Sequence, residues 1–336
     1  MANDFLPFAS AGGANVMTQA AYSALAARTA GFSAGTAQSA QLNKVWRQSS
    51  LIAAAVAQAI NDITGQDVLD DGTTAGIVAT FKAAIAAGSN IVTGNSLNLK
   101  AAVPAASATA TFTADVLVVS TSLSGNSYRL SGFNKTINLA ITGVGGMDTG
   151  LATLSGFVAV YAIYNPTTGV SALLATNATL AVQPEIYGGA NMPAGYTASA
   201  LVSVWGINNV SRFFNIGFQF GRRIETGFIG LLDINTDSAT LIPVSIAIYV
   251  PLNAKTLSGQ LVCGNNNAGG QSVAMDIASS STGVGGRWLN TFVLAAGTGQ
   301  APFYDMPILT AQTMYTIRTI GAGPARYQVL GSNYTF

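Results

Sequence analysis

The chain has 336 residues, of which 49% are hydrophobic and only 8% are charged, and its net charge is +1. Ordinary soluble domains carry about 25% charged residues, so much of this surface must be small and polar or buried in an assembly. A near-neutral chain lacks the basic face that a nucleic-acid partner requires. The absence of His removes the commonest general base and metal ligand. The single cysteine, Cys263, excludes an intrachain disulfide and a Cys-based metal site.

The N-terminal residues do not have the pattern of a targeting signal. The first ten residues contain Asp4 and no basic region, so we expect no signal peptide. The richest apolar stretch, Leu51 to Ile63, is interrupted by polar residues and is shorter than the ~20 residues that span a bilayer. We therefore expect a soluble protein made in the cytoplasm, with no membrane insertion.

The first ninety residues have helical patterns. Thr18 is a favourable N-cap for a helix over Gln19–Ala30, which Gly31 ends. A second helix over Ala40–Thr64 carries the strongest periodic signal, a spacing of three and four residues held for three heptads. Its members are Leu42, Val45, Ser49, Ile52, Val56, Ala59 and Ile63.

This set, called the seam below, has two interpretations. It is either one apolar face packed within its own domain or a contact between subunits in a coiled-coil-like trimer. Trp46 and Ile60 flank the seam and widen the apolar face, which suits three or more helices better than two.

Residues Asp67 to Gly72 follow the long helix. They lack the alternating acids and distal Glu of a calcium loop, so a turn feeding a third helix is the preferred interpretation. That helix has Thr73 as N-cap, carries Ile77, Phe81 and Ile85 on one face, and ends at Gly88.

After residue 90 the pattern changes to short β-branched and aromatic runs separated by Gly, Asn, Pro and Ser. Many short strands without intervening helices predict a sandwich or barrel. The fold class is therefore α+β by segment: a helical segment over residues 1–89 and β-sandwich domains over 90–222 and 223–336. The predicted strands are Thr111–Val119, Ile137–Thr142, Phe157–Tyr164, Thr197–Val204, Phe213–Phe220, Val244–Val250, Ser258–Cys263, Val273–Ile277, Trp288–Leu294, Thr313–Thr319 and Tyr327–Leu330.

No catalytic, cofactor-binding or metal-binding motif is present. Without His, a Ser-His-Asp triad is impossible, and the five lysines are not preceded by a Ser-x-x-Lys pattern. The Gly-rich stretches at 143–146 and 283–286 lack the Lys and the helix of a phosphate-binding loop. Paired carboxylates for a glycosidase could meet only through folding. We expect no enzyme and no cofactor.

Several segments together resemble tail fibre proteins of tailed bacteriophages. They cover most of the chain and are clearest over residues 1–90 and 110–205. The segments are Asp4–Ala9, Ala40–Ser50, Gly65–Gly72, Gly145–Gly150, Val160–Pro166, Tyr187–Tyr196, Thr310–Thr313 and Asn333–Phe336.

The resemblance implies a homotrimeric virion protein made in the host cell. Its N-terminal region would bind other phage tail proteins, and its β body would bind a host-surface glycan or outer-membrane protein. The loops 264–271 and 283–287 are rich in Asn or Gly, which makes them candidates for the host contact. Two rivals remain: an adaptor scaffold without host contact and a depolymerase that trims surface polysaccharide.

Overall fold

The computed structural model describes residues 2–88 and 92–336. The chain divides into two compact units, residues 1–90 and 91–336, named here the helical unit and the β unit. Each is described by itself. In the described ranges, no helix is long and apolar enough to cross a membrane.

The helical unit contains helices at four places. They are α1 (Gln19–Ser23), α2 (Ala27–Ala30), α3 (Ser39–Thr64) and α4 (Ala75–Gly88). The continuous helix predicted over 19–30 is wrong, although Thr18 does accept a hydrogen bond from the N–H of Ala21 at 3.2 Å. Neither α1 nor α2 has a buried residue. Without tertiary packing to stabilise it, so short a helix is marginal.

The core of the helical unit is small. Ala57 and Ile60 of α3 pack with Val68 and with Ala84 of α4, and Phe5 covers this cluster. The N-terminal residues reach it because the N–H of Asp4 donates to the carbonyl of Val68 at 3.1 Å. Helix α3 ends as predicted at Thr64, where Gly65 adopts a φ of 67° that favours glycine.

The turn over residues 67–72 is held by its own carboxylates. Asp71 accepts from both the N–H (2.8 Å) and the hydroxyl (2.9 Å) of Thr73. The first bond of α4 runs from the N–H of Val78 to the carbonyl of Thr74. The predicted N-cap at Thr73 is therefore one residue early, because the hydroxyl of Thr73 is bonded to Asp71 instead.

The β unit has antiparallel pairing throughout its described strands. In chain order they are β1 (Ser96–Leu97), β2 (Lys100–Val103), β3 (Thr109–Ser120), β4 (Ser127–Asn138), β5 (Gly156–Asn165), β6 (Val170–Asn177), β7 (Ala198–Ile207), β8 (Gly217–Phe220), β9 (Arg223–Ile234), β10 (Ser238–Ser245), β11 (Thr256–Asn265), β12 (Gln271–Ala278), β13 (Arg287–Val293), β14 (Thr298–Pro307), β15 (Thr313–Ile320) and β16 (Ala325–Thr335).

Two sheets form from these strands. The larger has the order β14-β11-β16-β9-β8-β2-β3-β7-β5-β6, with β1 and β4 also paired to β3, and the smaller is β10-β15-β12-β13. One apolar cluster joins residues of both, including Leu261 and Tyr327 from the larger sheet and Met275 and Met314 from the smaller. The β-rich sandwich predicted from the sequence is confirmed.

The core is densest along β5 and β7. Eight consecutive residues of β5, from Gly156 to Ile163, are buried, and β7 is buried at every position except Gly206. Such strands are covered on both faces, which explains their continuous apolar runs. Trp205 of β7 donates its indole N–H to the carbonyl of Asn215 at 2.9 Å.

Three predicted strands are partly wrong. The strand predicted over Phe213–Phe220 begins only at Gly217, as β8, because Phe213 and Phe214 bond to Asn208 and Ser107 at isolated positions. Strand β4 stops at Asn138, because the carboxamide of Asn138 accepts from the N–H of Ala140 and folds the chain back. Strand β10 stops at Ser245, because the N–H groups of Tyr249 and Val250 both donate to the carbonyl of Ile246 in a tight turn.

The predicted boundary at residue 222 falls in the turn between β8 and β9. Phe218 of β8 pairs with Glu225 of β9, so hydrogen bonding in the larger sheet continues across this point. The division of the β body into residues 90–222 and 223–336 stays a prediction.

Candidate functional site: an apolar face on the long helix

The seam lies largely at the surface of the helical unit. Ile52 has 69% of its surface exposed. Leu42 and Val45 at the start of α3 are partly buried, and the rest of the seam is exposed: Ser49, Val56, Ala59 and Ile63. A stripe of Ile and Val open to water is unfavourable, since each such side chain gains about 1.5–3 kcal/mol on full burial.

A different face of α3 makes the contacts within the chain. The buried residues of the helix are Lys44, Ala57, Ile60 and Asn61. Asn61 donates its amide to the carbonyl of Gln66 at 3.0 Å and to that of Ala2 at 3.3 Å. The seam is therefore not the face that holds this helix in its own fold.

The two residues predicted to widen the seam divide between two roles. Ile60 is only 1% exposed and belongs to the core of the helical unit, where it also lines the space between α3 and α4. Trp46 is half exposed and packs edge-to-face against Phe8, with ring centroids 5.8 Å apart. An aromatic pair at this distance is a favourable contact within the chain.

Helix α4 extends the apolar face into a groove. Val56, Ala59 and Ile63 of α3 face Phe81 and Ile85 of α4 across a space of about 330 Å³, and no charged residue lines it. The sequence signal for this groove was the spacing of Ile77, Phe81 and Ile85, but only packing places their helix beside the seam.

Two carboxylates close to this groove in the sequence have hydrogen-bond partners of their own. Asp71 accepts hydrogen bonds from Thr73, and the backbone N–H of Thr73 is the first cause that holds the pKa of Asp71 below its usual range. Asp62 of α3 accepts from Gln58 at 2.7 Å. The groove and the seam thus form one uncharged face, called the assembly face below.

The two loops proposed for host contact use their polar groups internally. Asn265, fully buried, donates its amide to the carbonyls of Gly269 (2.8 Å) and Val293 (3.0 Å). Asn267 donates to the carbonyl of Ala322 at 2.9 Å. Arg287 donates to the carbonyl of Gly286 at 3.0 Å. These bonds shape the loops, and their role in recognition stays a prediction.

Several carboxylates of the β unit are paired with other side chains. Arg222 forms a bidentate pair with Glu185, and Arg326 forms one with Asp233. The hydroxyl of Tyr187 donates to Asp148 at 2.8 Å. The pKa of Tyr187 is raised to about 12, mainly because the phenol is buried and secondly because of this hydrogen bond to Asp148. In the described ranges, no three His, Cys, Asp or Glu residues cluster as metal ligands would.

Comparisons with known proteins give no family. The sequence matches no protein-family profile and no curated protein. Solved structures with some similarity include particles derived from infectious bursal virus, at 9% identity over 73% of this chain and 67% of that one, with a TM-score of 0.21. The T13 particle of infectious bursal disease virus is similar at 10% identity over 73% of this chain and 67% of that one, with a TM-score of 0.22.

An exo-β-1,3-galactanase from Phanerochaete chrysosporium, solved with galactose, is similar at 10% identity. That match covers 68% of this chain and 54% of the enzyme, with a TM-score of 0.15. Likeness at these scores carries no inference about what this chain does, and the functional conclusion depends on its own residues.

Proposed function

We propose that this chain is a structural subunit of a phage tail fibre, which trimerises through its helical unit and adheres to the host through its β unit. The assembly face carries this proposal. It keeps a heptad spacing over three heptads, its residues are uncharged, and most of them remain exposed in the single chain.

Burial of the assembly face between copies would supply the free energy of association. Ile52, Val56 and Ile63 each gain about 1.5–3 kcal/mol when fully buried. That gain is set against the loss of translational and rotational freedom, estimated at about 4–15 kcal/mol. A trimer incurs this loss twice, because two copies must join the first, so its interface must bury seam residues of all three copies together with Phe81 and Ile85 beside them.

A trimer fits the width of the face better than a dimer. A two-stranded coiled coil buries a narrow stripe, whereas the groove beside Val56 and Ile63 broadens the apolar area toward α4. Each copy would then present its α3 to two neighbours.

The two units divide the work in this proposal. The helical unit would join the trimer and other tail proteins, and the β unit would bind a host-surface glycan or outer-membrane protein. Three weak contacts on one fibre give firm attachment when they engage the same surface.

The test is a charge placed on the seam and a matched charge placed beside it. Ile52→Asp buries an unpaired carboxylate in a trimer, at an expected cost of several kcal/mol. Leu51→Asp makes the same kind of change one residue away, off the seam, where Leu51 is 43% exposed. Light scattering should find a trimer for the parent and for Leu51→Asp, and a monomer for Ile52→Asp with its helix content retained. A trimer in all three would show that the seam is not the interface.

Competition separates an adhesive fibre from an adaptor. Purified trimer that binds the host receptor should reduce adsorption of whole particles to cells. If saturating trimer leaves adsorption unchanged, the chain is an adaptor and the host contact belongs to another protein.

A further inference from the structure

A cleft in the β unit lies where the end of β7 meets β9. It encloses about 650 Å³, which is within the range of roughly 300–1,000 Å³ typical of small-molecule sites. Residues 155–157, 205–209, 226–229 and 248–249 contribute to its walls, together with Ile224.

The floor of this cleft is rigid and aromatic. Tyr249 and Tyr334 pack edge-to-face with ring centroids 5.9 Å apart. Their hydroxyls are used within the fold: that of Tyr249 bonds Thr226 at 2.8 Å, and that of Tyr334 donates to the carbonyl of Val204 at 2.8 Å. Because buried bonds fix the floor, a ligand would meet a preformed surface.

The rim of the cleft combines an open ring with free amides. Phe228 of β9 is 63% exposed, and the adjacent Gly227 leaves open space beside it. Asn208 uses its carboxamide oxygen to hold the following loop through the N–H of Ser211 at 2.8 Å. Its NH₂ group, and the whole side-chain amides of Asn209 and Asn215, have no hydrogen-bond partner in the described part of the chain.

No lining residue of the cleft is charged. A charged ligand would lose its hydration there without gaining an ion pair, which is costly. The lining also contains no carboxylate pair of the kind that cleaves glycosidic bonds. An uncharged ligand that is bound and not cleaved fits this chemistry.

We infer that this cleft binds an uncharged oligosaccharide. The apolar C–H face of a sugar ring would stack on Phe228, and amides both donate to and accept from sugar hydroxyls. This inference deepens the host-adhesion part of the proposed function and depends on it for its biological role. Binding itself requires only the purified chain.

The experiment measures binding of uncharged oligosaccharides to the full-length chain by saturation-transfer NMR and calorimetry. The probes are short oligomers of hexoses, 6-deoxyhexoses and N-acetylhexosamines, with uronic-acid and sialylated oligomers as charged comparators. We expect saturable binding of at least one uncharged oligomer and none of its charged counterpart. Phe228→Ala should raise the Kd about tenfold, which corresponds to ~1.4 kcal/mol.

Phe220→Ala is the matched control. Phe220 is also an exposed phenylalanine, at 60%, but it does not line the cleft, so its removal should leave the Kd unchanged. Asn209→Ala, a surface change, should weaken binding without altering the fold.

The inference is overturned if no uncharged oligomer binds at millimolar concentration, if only charged oligomers bind, or if both cleft variants bind like the parent. It is also overturned if Phe228→Ala changes the oligomeric state instead of the affinity, because the cleft is then a subunit contact. The binding outcomes do not bear on Ile52→Asp, and only a change of oligomeric state in Phe228→Ala would bear on the trimer interface as well, so the two proposals can be told apart when one of them fails.

Discussion

The helical unit and the β unit differ in how they use their apolar residues. Among the described residues of the helical unit, four apolar side chains form a buried cluster, while Ile52, Ile63 and Ile85 remain open to water. In the β unit two sheets share one continuous core, in which Trp205 and Tyr161 are almost completely covered. The comparison teaches that the β unit builds one large core of its own, although it also exposes apolar side chains such as Leu180 and Ile248. The helical unit buries few apolar residues, and the proposed trimer would cover part of the rest.

Removal of the helical unit is the strongest way to test this difference. A chain of residues 90–336 should fold, because its core uses no residue before Leu99, but it should be monomeric and should not enter particles. Circular dichroism, light scattering and particle incorporation, each compared with the full-length chain, measure the three outcomes. An unfolded truncation would show that the β unit depends on the helical unit, and a trimeric one would place the interface in the β unit.

Trp205→Ala should destabilise the β unit by about 3–5 kcal/mol. The change leaves a large cavity beside Phe112 and Phe214, which pack edge-to-face on the indole ring. Thermal denaturation gives the measurement. Trp288→Ala is the matched control, because Trp288 is largely exposed, and it should change stability by less than about 0.5 kcal/mol. Equal effects of the two changes would contradict the assignment of Trp205 to the core.

The rate at which the thiol of Cys263 is labelled reports on the folding of the β unit alone, and it is the smallest of the expected effects. It is the only cysteine in the chain and is fully buried. Burial raises the pKa of its thiol to about 12, so at pH 8 both access and the low thiolate fraction oppose reaction. A thiol reagent should label the native chain very slowly and the denatured chain completely.

The same labelling can follow the two units separately. Ile52→Asp should not accelerate labelling of Cys263, because it removes a contact of the helical unit only, whereas Trp205→Ala should accelerate it. Fast labelling in Ile52→Asp would mean that the stability of the β unit depends on assembly.

Local patterns in the sequence were enough to predict several elements. The heptad spacing predicts a helix ending at Thr64, and α3 ends there because Gly65 adopts a left-handed conformation. Continuous apolar runs predict β5 and β7, since strands covered on both faces have no polar alternation. The seam was identified from spacing alone, because the same periodicity places its members on one face of the helix.

The tertiary structure decided features that depend on residues distant in sequence. Strand β14 was missed because it contains Pro302 and Pro307. The structure shows that β14 pairs with β11 and lies at the edge of the larger sheet, where proline is tolerated. Ile60 lies near the seam in sequence, yet contacts with Val68 and Ala84 bury it within its own chain. The cleft gathers residues from seven separate places in the chain, with no local motif. Local propensity fixes the helices and strands that repeat a pattern, whereas a site depends on how strands pair and on which side chains remain uncovered after packing.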